Sequence, residues 1–368
     1  MNSIEARNKK AHKILDILYE KAVNPSTIID ESAYSKSIDK LFSTTAWGFR
    51  EILLVVIVGM KLDPSFRASS GLYDCNPRAI YEGPIKEFLI EKNVPHRKSG
   101  PLNVAKATVR LDMTWAMQRR PSDVAREVVH LIDFMEFKSN DSANRIDSVG
   151  ISLLRRFISY SNSLVALSVS IQPSNDPVML YNLCYELITK APDFGNTPQK
   201  ICALLLTSYH KSFHTGVIIT GGEDRASVTS TTSKKPGDIS EEYGGHIYKV
   251  YEVTTKHFDI ARIRDSYDCI SIYNCKHATD INEVIVICRK DDCPPNVDSN
   301  GLHGYLGRYT YMDMSYYYWN IYEWIASMLQ RMTQCGRQDF HNLLNSYINE
   351  INTSESVKKL WLQLHSNL

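Results

Sequence analysis

The sequence predicts a mixed α/β (α+β) protein: a large, mostly helical N-terminal region, then a sheet flanked by helices, then a helical C-terminal segment. Three observations predict it. Apolar residues keep helical spacing through most of the first 213 residues. Beyond Thr215 the texture turns to β-branched and aromatic stretches bounded by polar or glycine-rich turns. After Pro294-Pro295 and the glycines at 301, 304 and 307, an aromatic helical pattern returns. At 368 residues, a rough 150 per domain gives about two domains or one large one. The pattern divides the chain at 1–195, 196–293 and 294–368.

Taken in order, Ile14, Leu15, Ile17, Leu18 and Ala22 share a helical face, and the same spacing recurs over about 49–62, 85–91 and 122–137. Ser122, with Asp123 in the first turn, reads as an N-cap, and Ser142 opens a long pattern through Leu153, Phe157 and Leu164. Helices continue over about 177–190 and 198–213. Strands are expected at 216–220, 247–254, 269–273 and 283–288, with a helix over 258–267 between the second and third. The run from Tyr316 to Met332 reads as an aromatic helix. Its tyrosines have the makings of a base-stacking platform, but their spacing favours core or dimer packing. Helices over 339–351 and around Leu360 and Trp361 complete the reading.

The composition is that of an ordinary globular chain, 43% hydrophobic and 23% charged, which excludes disordered, collagen-like and coiled-coil classes. Forty-two Lys and Arg against 41 Asp and Glu give a net charge of +1, so any nucleic-acid surface must be local. The apolar run Ile52–Met60 is about half the roughly 20 residues of a membrane span, and is flanked by Arg50, Glu51, Lys61 and Asp63. It reads as a buried helix, and with no signal-like N-terminus the expected location is the cytoplasm. The 8 cysteines are scattered, several within apolar segments, which suits reduced thiols. Cys275, His277, Cys288 and Cys293 have the atoms for zinc but not the paired spacing, and His210 and His214 lack the glutamate of a metalloprotease helix. No P-loop and no nucleophile elbow are present.

The chemistry concentrates between Ser230 and Lys256. Glu252 lies between Tyr251 and Val253 near the end of an apolar strand, where a carboxylate is costly without a partner, and a divalent cation is one such partner. Alternation places Val250, Glu252, Thr254 and Lys256 on one side of the strand. Asp238, at a Pro-Gly turn before the hairpin, can reach Glu252 from the neighbouring strand. Two carboxylates suit Mg2+, which takes oxygen ligands and keeps waters, and a lysine nearby can position or activate an attacking water. The same residues also admit a structural reading, with Asp238 in an Asx turn and Glu252 paired with Lys249 or Lys256.

An Asp after Gly237, a hairpin, then Glu252-Val-Thr254 and a helix resembles the PD-(D/E)XK nuclease core, with Thr254 in place of the usual lysine. Further segments extend the likeness: Asp63-Pro-Ser65, Gly71-Leu-Tyr-Asp74 with Arg78, Ser99-Gly-Pro-Leu-Asn103, and a C-terminal helix with a tryptophan. From about residue 50 onward the chain resembles the SacI-type family of type II restriction endonucleases. The resemblance implies a sequence-specific, Mg2+-dependent endonuclease on double-stranded DNA, acting as a homodimer alongside a cognate DNA methyltransferase of a restriction-modification system. It implies Asp238 and Glu252 as metal ligands, with Thr254 or Lys256 in the third catalytic role. Residues 1–195 would then serve recognition and scaffold, 196–293 the nuclease core, and 294–368 packing on the core or on a dimer partner.

For DNA contacts the candidates are Arg67, Arg78, Arg97, Lys98, Asn103, Lys106, Arg225, Lys234 and Lys235, because Arg and Asn reach base edges and Lys favours phosphates. The hydroxyl-rich stretch Ser227–Ser233 can grip the backbone beside them. Two alternatives stand beside this reading: a non-catalytic DNA-binding or interaction protein on a degraded nuclease core, and a defence or repair nuclease that recognises structure.

Overall fold

The computed structural model describes residues 3–97, 100–137, 141–222, 235–294, 297 and 303–366. They form two compact units, 1–166 and 167–368. The expected helical region 1–195 spans the first unit and the opening of the second. Helices of six or more residues are numbered below.

The first unit is helical: α1 (Ser3–Val23), α2 (Ser35–Phe42), α3 (Gly48–Leu62), α4 (Lys86–Glu91), α5 (Gly100–Ala105), α6 (Ser122–Glu136) and α7 (Ser142–Val165). Every residue of α3 from Gly48 to Met60 is buried, as its uninterrupted apolar run requires. The Arg50 guanidinium, also buried, donates to the carbonyls of Leu41, Phe42 and Thr44, closing the C-terminus of α2. Glu51 accepts from the Tyr81 hydroxyl and the Arg97 backbone, both at 2.7 Å. Ser122 and Ser142 stand at the first helical position, and the cap positions fall one residue earlier, on Pro121 and Asp141. Among the described residues, no helix is long and apolar enough to cross a membrane.

The second unit is a mixed α+β layer structure. Helices α8 (Pro177–Lys190) and α9 (Asn196–Ser212) precede β1 (Ile218–Thr220), β2 (Ile239–Tyr243) and β3 (His246–Thr254). Then come α10 (Ile260–His277), β4 (Glu283–Cys288), β5 (Tyr305–Tyr311), β6 (Met314–Asn320), α11 (Ile321–Arg331), α12 (Gln334–Asn349) and α13 (Glu355–Ser366). The strands make one open six-stranded sheet, in the order β1-β2-β3-β4-β6-β5. Strands β1, β2 and β3 run antiparallel in a meander, β3, β4 and β6 are parallel neighbours, and β5 is antiparallel to β6. Tyr251, Val253 and Ile287 face a core with α8, α9, α11, α12 and α13, whereas Val250, Val284, Val286, Tyr316 and Tyr318 face α10.

Two expectations are corrected. Residues 269–273, expected as a strand, lie inside α10. The Asp259 side chain caps the Arg262 N–H at 3.0 Å, and Ile263, Ser266 and Ile270 are buried at helical spacing, so burial overrides the β propensity of the Cys-Ile-Ser-Ile-Tyr run. The strand-helix-strand unit is therefore β3-α10-β4. The aromatic run from Tyr316 begins as a strand, not a helix: Met314, Tyr316 and Tyr318 are buried in alternation, and the helix starts only at Ile321, where Asn320 accepts from the N–H groups of Tyr322 and Glu323. Strand β5, its hairpin partner, carries no strong signal in the sequence. Tyr316 and Tyr318 are wholly buried against Phe258, so they are core residues and offer no stacking surface.

A buried polar knot ties α9 to the sheet. Glu241, 4% exposed, accepts hydrogen bonds from the hydroxyls of Tyr251 at 2.5 Å and Tyr248 at 2.7 Å. The His210 Nε2 lies 3.5 Å from the same carboxylate. These partners satisfy a charge that burial would otherwise penalise by several kcal/mol.

Candidate functional site

Asp238 enters the site just ahead of β2, and two glycines make room for it. A Cβ on Gly237 would sit 2.4 Å from Val250 Cγ1 and 3.0 Å from the Tyr251 carbonyl. Gly221, at φ +96°, passes so close that a Cβ there would lie 2.2 Å from the Asp238 carbonyl. Gln199, on α9, donates to that carbonyl at 3.3 Å. The Asp238 carboxylate accepts the Val253 N–H at 3.0 Å, which fixes it against β3 rather than in an Asx turn of its own.

Glu252 is 5% exposed, on the side of β3 that faces α10. Its carboxyl group accepts from the Ser266 hydroxyl of α10 at 3.1 Å and lies beside the carboxyl group of Asp238. Burial, and then the neighbouring Asp238, push the Glu252 carboxyl well above its ordinary range. Asp238 is also raised by burial, against the pull of the Val253 N–H and of Arg262. Two neighbouring carboxyls oppose each other's ionisation, which is the second cause of the rise at Glu252. Lys249 and Lys256 are both exposed, and the structural pairing expected of Glu252 with either is replaced by Asp238 and Ser266.

The strand does not stay regular as far as Lys256. It ends at Thr254, whose hydroxyl donates to the Lys256 carbonyl at 2.9 Å and accepts the Lys256 N–H at 3.0 Å, turning the chain away. Val250, Glu252 and Thr254 share a side as expected, but Lys256 does not continue it. The cation of the site is Arg262, in the first turn of α10: its Nη1 donates to the Thr254 hydroxyl at 2.6 Å, and its charge acts on both carboxyls. Sequence reasoning missed it. The available signal was the spacing of Arg262 and Ser266, four residues apart and so on one helix face turned to β3.

These residues supply hard oxygen atoms from two carboxylates and one positive charge. That donor set suits Mg2+ or Mn2+, which complete their shells with water or carbonyl oxygens, and does not suit a zinc site of sulfur and imidazole. Among the described residues, no group of three or more His, Cys, Asp and Glu side chains is placed to hold a metal.

The candidate DNA contacts fall in both units. In the first, Arg67 Nη1 donates to the carbonyls of Pro64 and Phe66, Arg78 pairs with Glu82 at 3.2 Å, and Arg97 Nη2 donates to the Thr45 carbonyl at 3.0 Å. Asn103 and Lys106 are exposed. In the second, Lys235 is half-buried three residues before Asp238. Lys98, Arg225, Lys234 and the stretch Ser227–Ser233 lie outside the described residues.

No protein-family model matches this chain, and a search of curated proteins returns no significant match.

Proposed function

We propose that the second unit is a divalent-cation-dependent nuclease acting on double-stranded DNA, with Asp238 and Glu252 as the metal-holding pair. The observation that carries the reading is the juxtaposition of these two carboxyls, one just ahead of β2 and one on β3, held by the Val253 N–H and Ser266, with Arg262 as their counter-charge. The order of elements supports it: a helix, a three-stranded antiparallel meander, a helix and a parallel strand is the layout expected of a PD-(D/E)XK core.

Mg2+, when bound, supplies a polarised water and charge neutralisation at a phosphodiester. The residues of the chain do the rest. Asp238 and Glu252, once ionised, would hold the ion, and the Val253 N–H keeps Asp238 in place. Arg262 presents a permanent charge where negative charge grows on the phosphate, a role that fits a guanidinium because it stays protonated. Cleavage at a defined site, homodimer formation and pairing with a methyltransferase follow from the family resemblance and complete the proposal.

A second reading, DNA binding without cleavage, has one observation in its favour: the Thr254 hydroxyl already makes three hydrogen bonds, leaving little capacity to hold a water. Digestion of a mixed-sequence plasmid separates the two. Discrete fragments with Mg2+, absent with EDTA and absent for Glu252→Ala, support the nuclease, and sequencing their ends tests site specificity. Intact plasmid that the protein nevertheless retains, with a strong dependence on salt, supports the binder.

A further inference from the structure

We propose that the groove beside the β2–β3 turn is a second active site, in which Thr215, His210 and Glu241 act as nucleophile, base and orienting carboxylate to hydrolyse esters with a small apolar acyl group. This site shares no residue with the carboxyl pair of Asp238 and Glu252. Its three members come from separate elements: His210 lies in the last turn of α9, Glu241 in β2, and Thr215 in the turn between α9 and β1. The Thr215 hydroxyl is 2.9 Å from His210 Nδ1, and His210 Nε2 is 3.5 Å from Glu241 Oε1. The imidazole thus stands between hydroxyl and carboxylate, one ring nitrogen turned to each.

The surrounding hydrogen bonds fix where each proton sits. Glu241 is buried, and each of its oxygens accepts a tyrosine hydroxyl, from Tyr251 on one and Tyr248 on the other, so it faces His210 as an acceptor. That places the imidazole proton on Nε2 and leaves Nδ1 as the base. Thr215 Oγ1 accepts the Val217 N–H at 3.2 Å, and its own proton is left to donate to Nδ1. The exposed Thr215 is presented on a sharp turn: its N–H donates to the His210 carbonyl at 3.2 Å, and both neighbours are left-handed, His214 at φ +49° and Gly216 at φ +76°. Left-handed backbone at a non-glycine residue is a strain that clusters at active sites.

Room for an acyl group lies alongside. Val217, Tyr243, His246 and Tyr248 line an open, largely apolar groove of about 300 Å3. Val217 joins it to Thr215, and Tyr248 joins it to Glu241. Ligand pockets run from roughly 300 to 1,000 Å3, so this one suits a short chain or a single ring. The Thr215 oxygen attacks the ester carbonyl carbon as its proton passes to His210 Nδ1, and the alcohol leaves with that proton. Water then attacks the acyl-threonine, His210 takes a proton from it and returns it to Thr215 Oγ1, and the carboxylic acid departs.

The test incubates the full chain with p-nitrophenyl butyrate in EDTA, so that the divalent-cation site takes no part, follows nitrophenolate release and maps acylated peptides after an acid quench. The wild type should turn over and carry a butyryl group on Thr215. Thr215→Ala and His210→Gln should each lower kcat/KM by about 100-fold or more, whereas Thr215→Ser should keep turnover and be acylated at the same position. Turnover undiminished in Thr215→Ala, acylation confined to other residues, or no turnover by the folded wild type would overturn the proposal. Should His210→Gln fail to fold, the variants of the exposed Thr215 decide the matter.

Discussion

Arg262 donates to the hydroxyl of Thr254 at 2.6 Å, so the positive charge beside the carboxyl pair comes from the helix after β3 and not from the strand itself. Arg262→Ala removes the charge that opposes a bound cation but also stabilises the transition state. Mn2+ affinity measured by calorimetry should stay the same or rise, while Mg2+-dependent cleavage falls by about 10²–10³. Lys256→Ala, at an exposed position beyond the strand, should change cleavage by less than about threefold.

The raised Glu252 carboxyl carries a stability cost. A group that binds its proton more tightly folded than unfolded contributes stability in acid and loses it as pH rises from near 4.5 toward the raised value. Glu252→Gln should therefore stabilise the metal-free protein at neutral pH by about 1–3 kcal/mol, measured by denaturant unfolding with EDTA present. An unchanged or lowered stability would contradict the raised Glu252 carboxyl.

His341 works in the opposite direction. Its Nδ1 accepts the Ser174 N–H at 2.9 Å, so its proton sits on Nε2, 3.4 Å from His365 Nε2. The His365 Nδ1 donates to the Trp361 carbonyl at 3.0 Å, so the pair is complementary only while both rings are neutral. Burial lowers His341 from 6.5 to about 4. Its stability contribution is complete above 6.5 and lost as pH falls toward about 4, on the order of 3 kcal/mol. Unfolding curves of wild type and His341→Gln across that window should differ in slope, the variant losing this part of the acid sensitivity.

Gly237→Ala places a methyl group against Val250 and the Tyr251 carbonyl and displaces Asp238 from β3. The expected cost is about 1–3 kcal/mol from overpacking, with loss of metal binding. Gly244, at the exposed β2–β3 turn, meets nothing within 4 Å. There Gly→Ala should cost only the strain of its left-handed backbone, about 1 kcal/mol, and leave metal binding intact.

Much of this was legible in the sequence because it is written in local pattern. The buried α3 follows from an unbroken apolar run, β3 and β4 from β-branched and aromatic stretches between turns, and the meeting of Asp238 with Glu252 from a hairpin of the right length. What was not legible depends on distant partners. The Cys269–Tyr273 run has strand composition, yet Ile263, Ser266 and Ile270 bury along a helix once β3 and β4 lie beneath it. The tyrosines from 316 satisfy either period until β4 and β5 pair with them on both sides. Arg262 is one charge among many on an amphipathic helix, and only the register of α10 against β3 singles it out. The end of β3 at Thr254 rests on three side-chain hydrogen bonds that no propensity encodes.

The central claim, that Asp238 and Glu252 together hold a divalent cation, is tested most directly by titrating the wild type and Glu252→Gln with Mn2+ and following bound ion by electron paramagnetic resonance. The account predicts a saturable site in the wild type that is lost in the variant, with unfolding curves showing that the variant remains folded. Binding undiminished in Glu252→Gln, or no binding to the wild type, would contradict it.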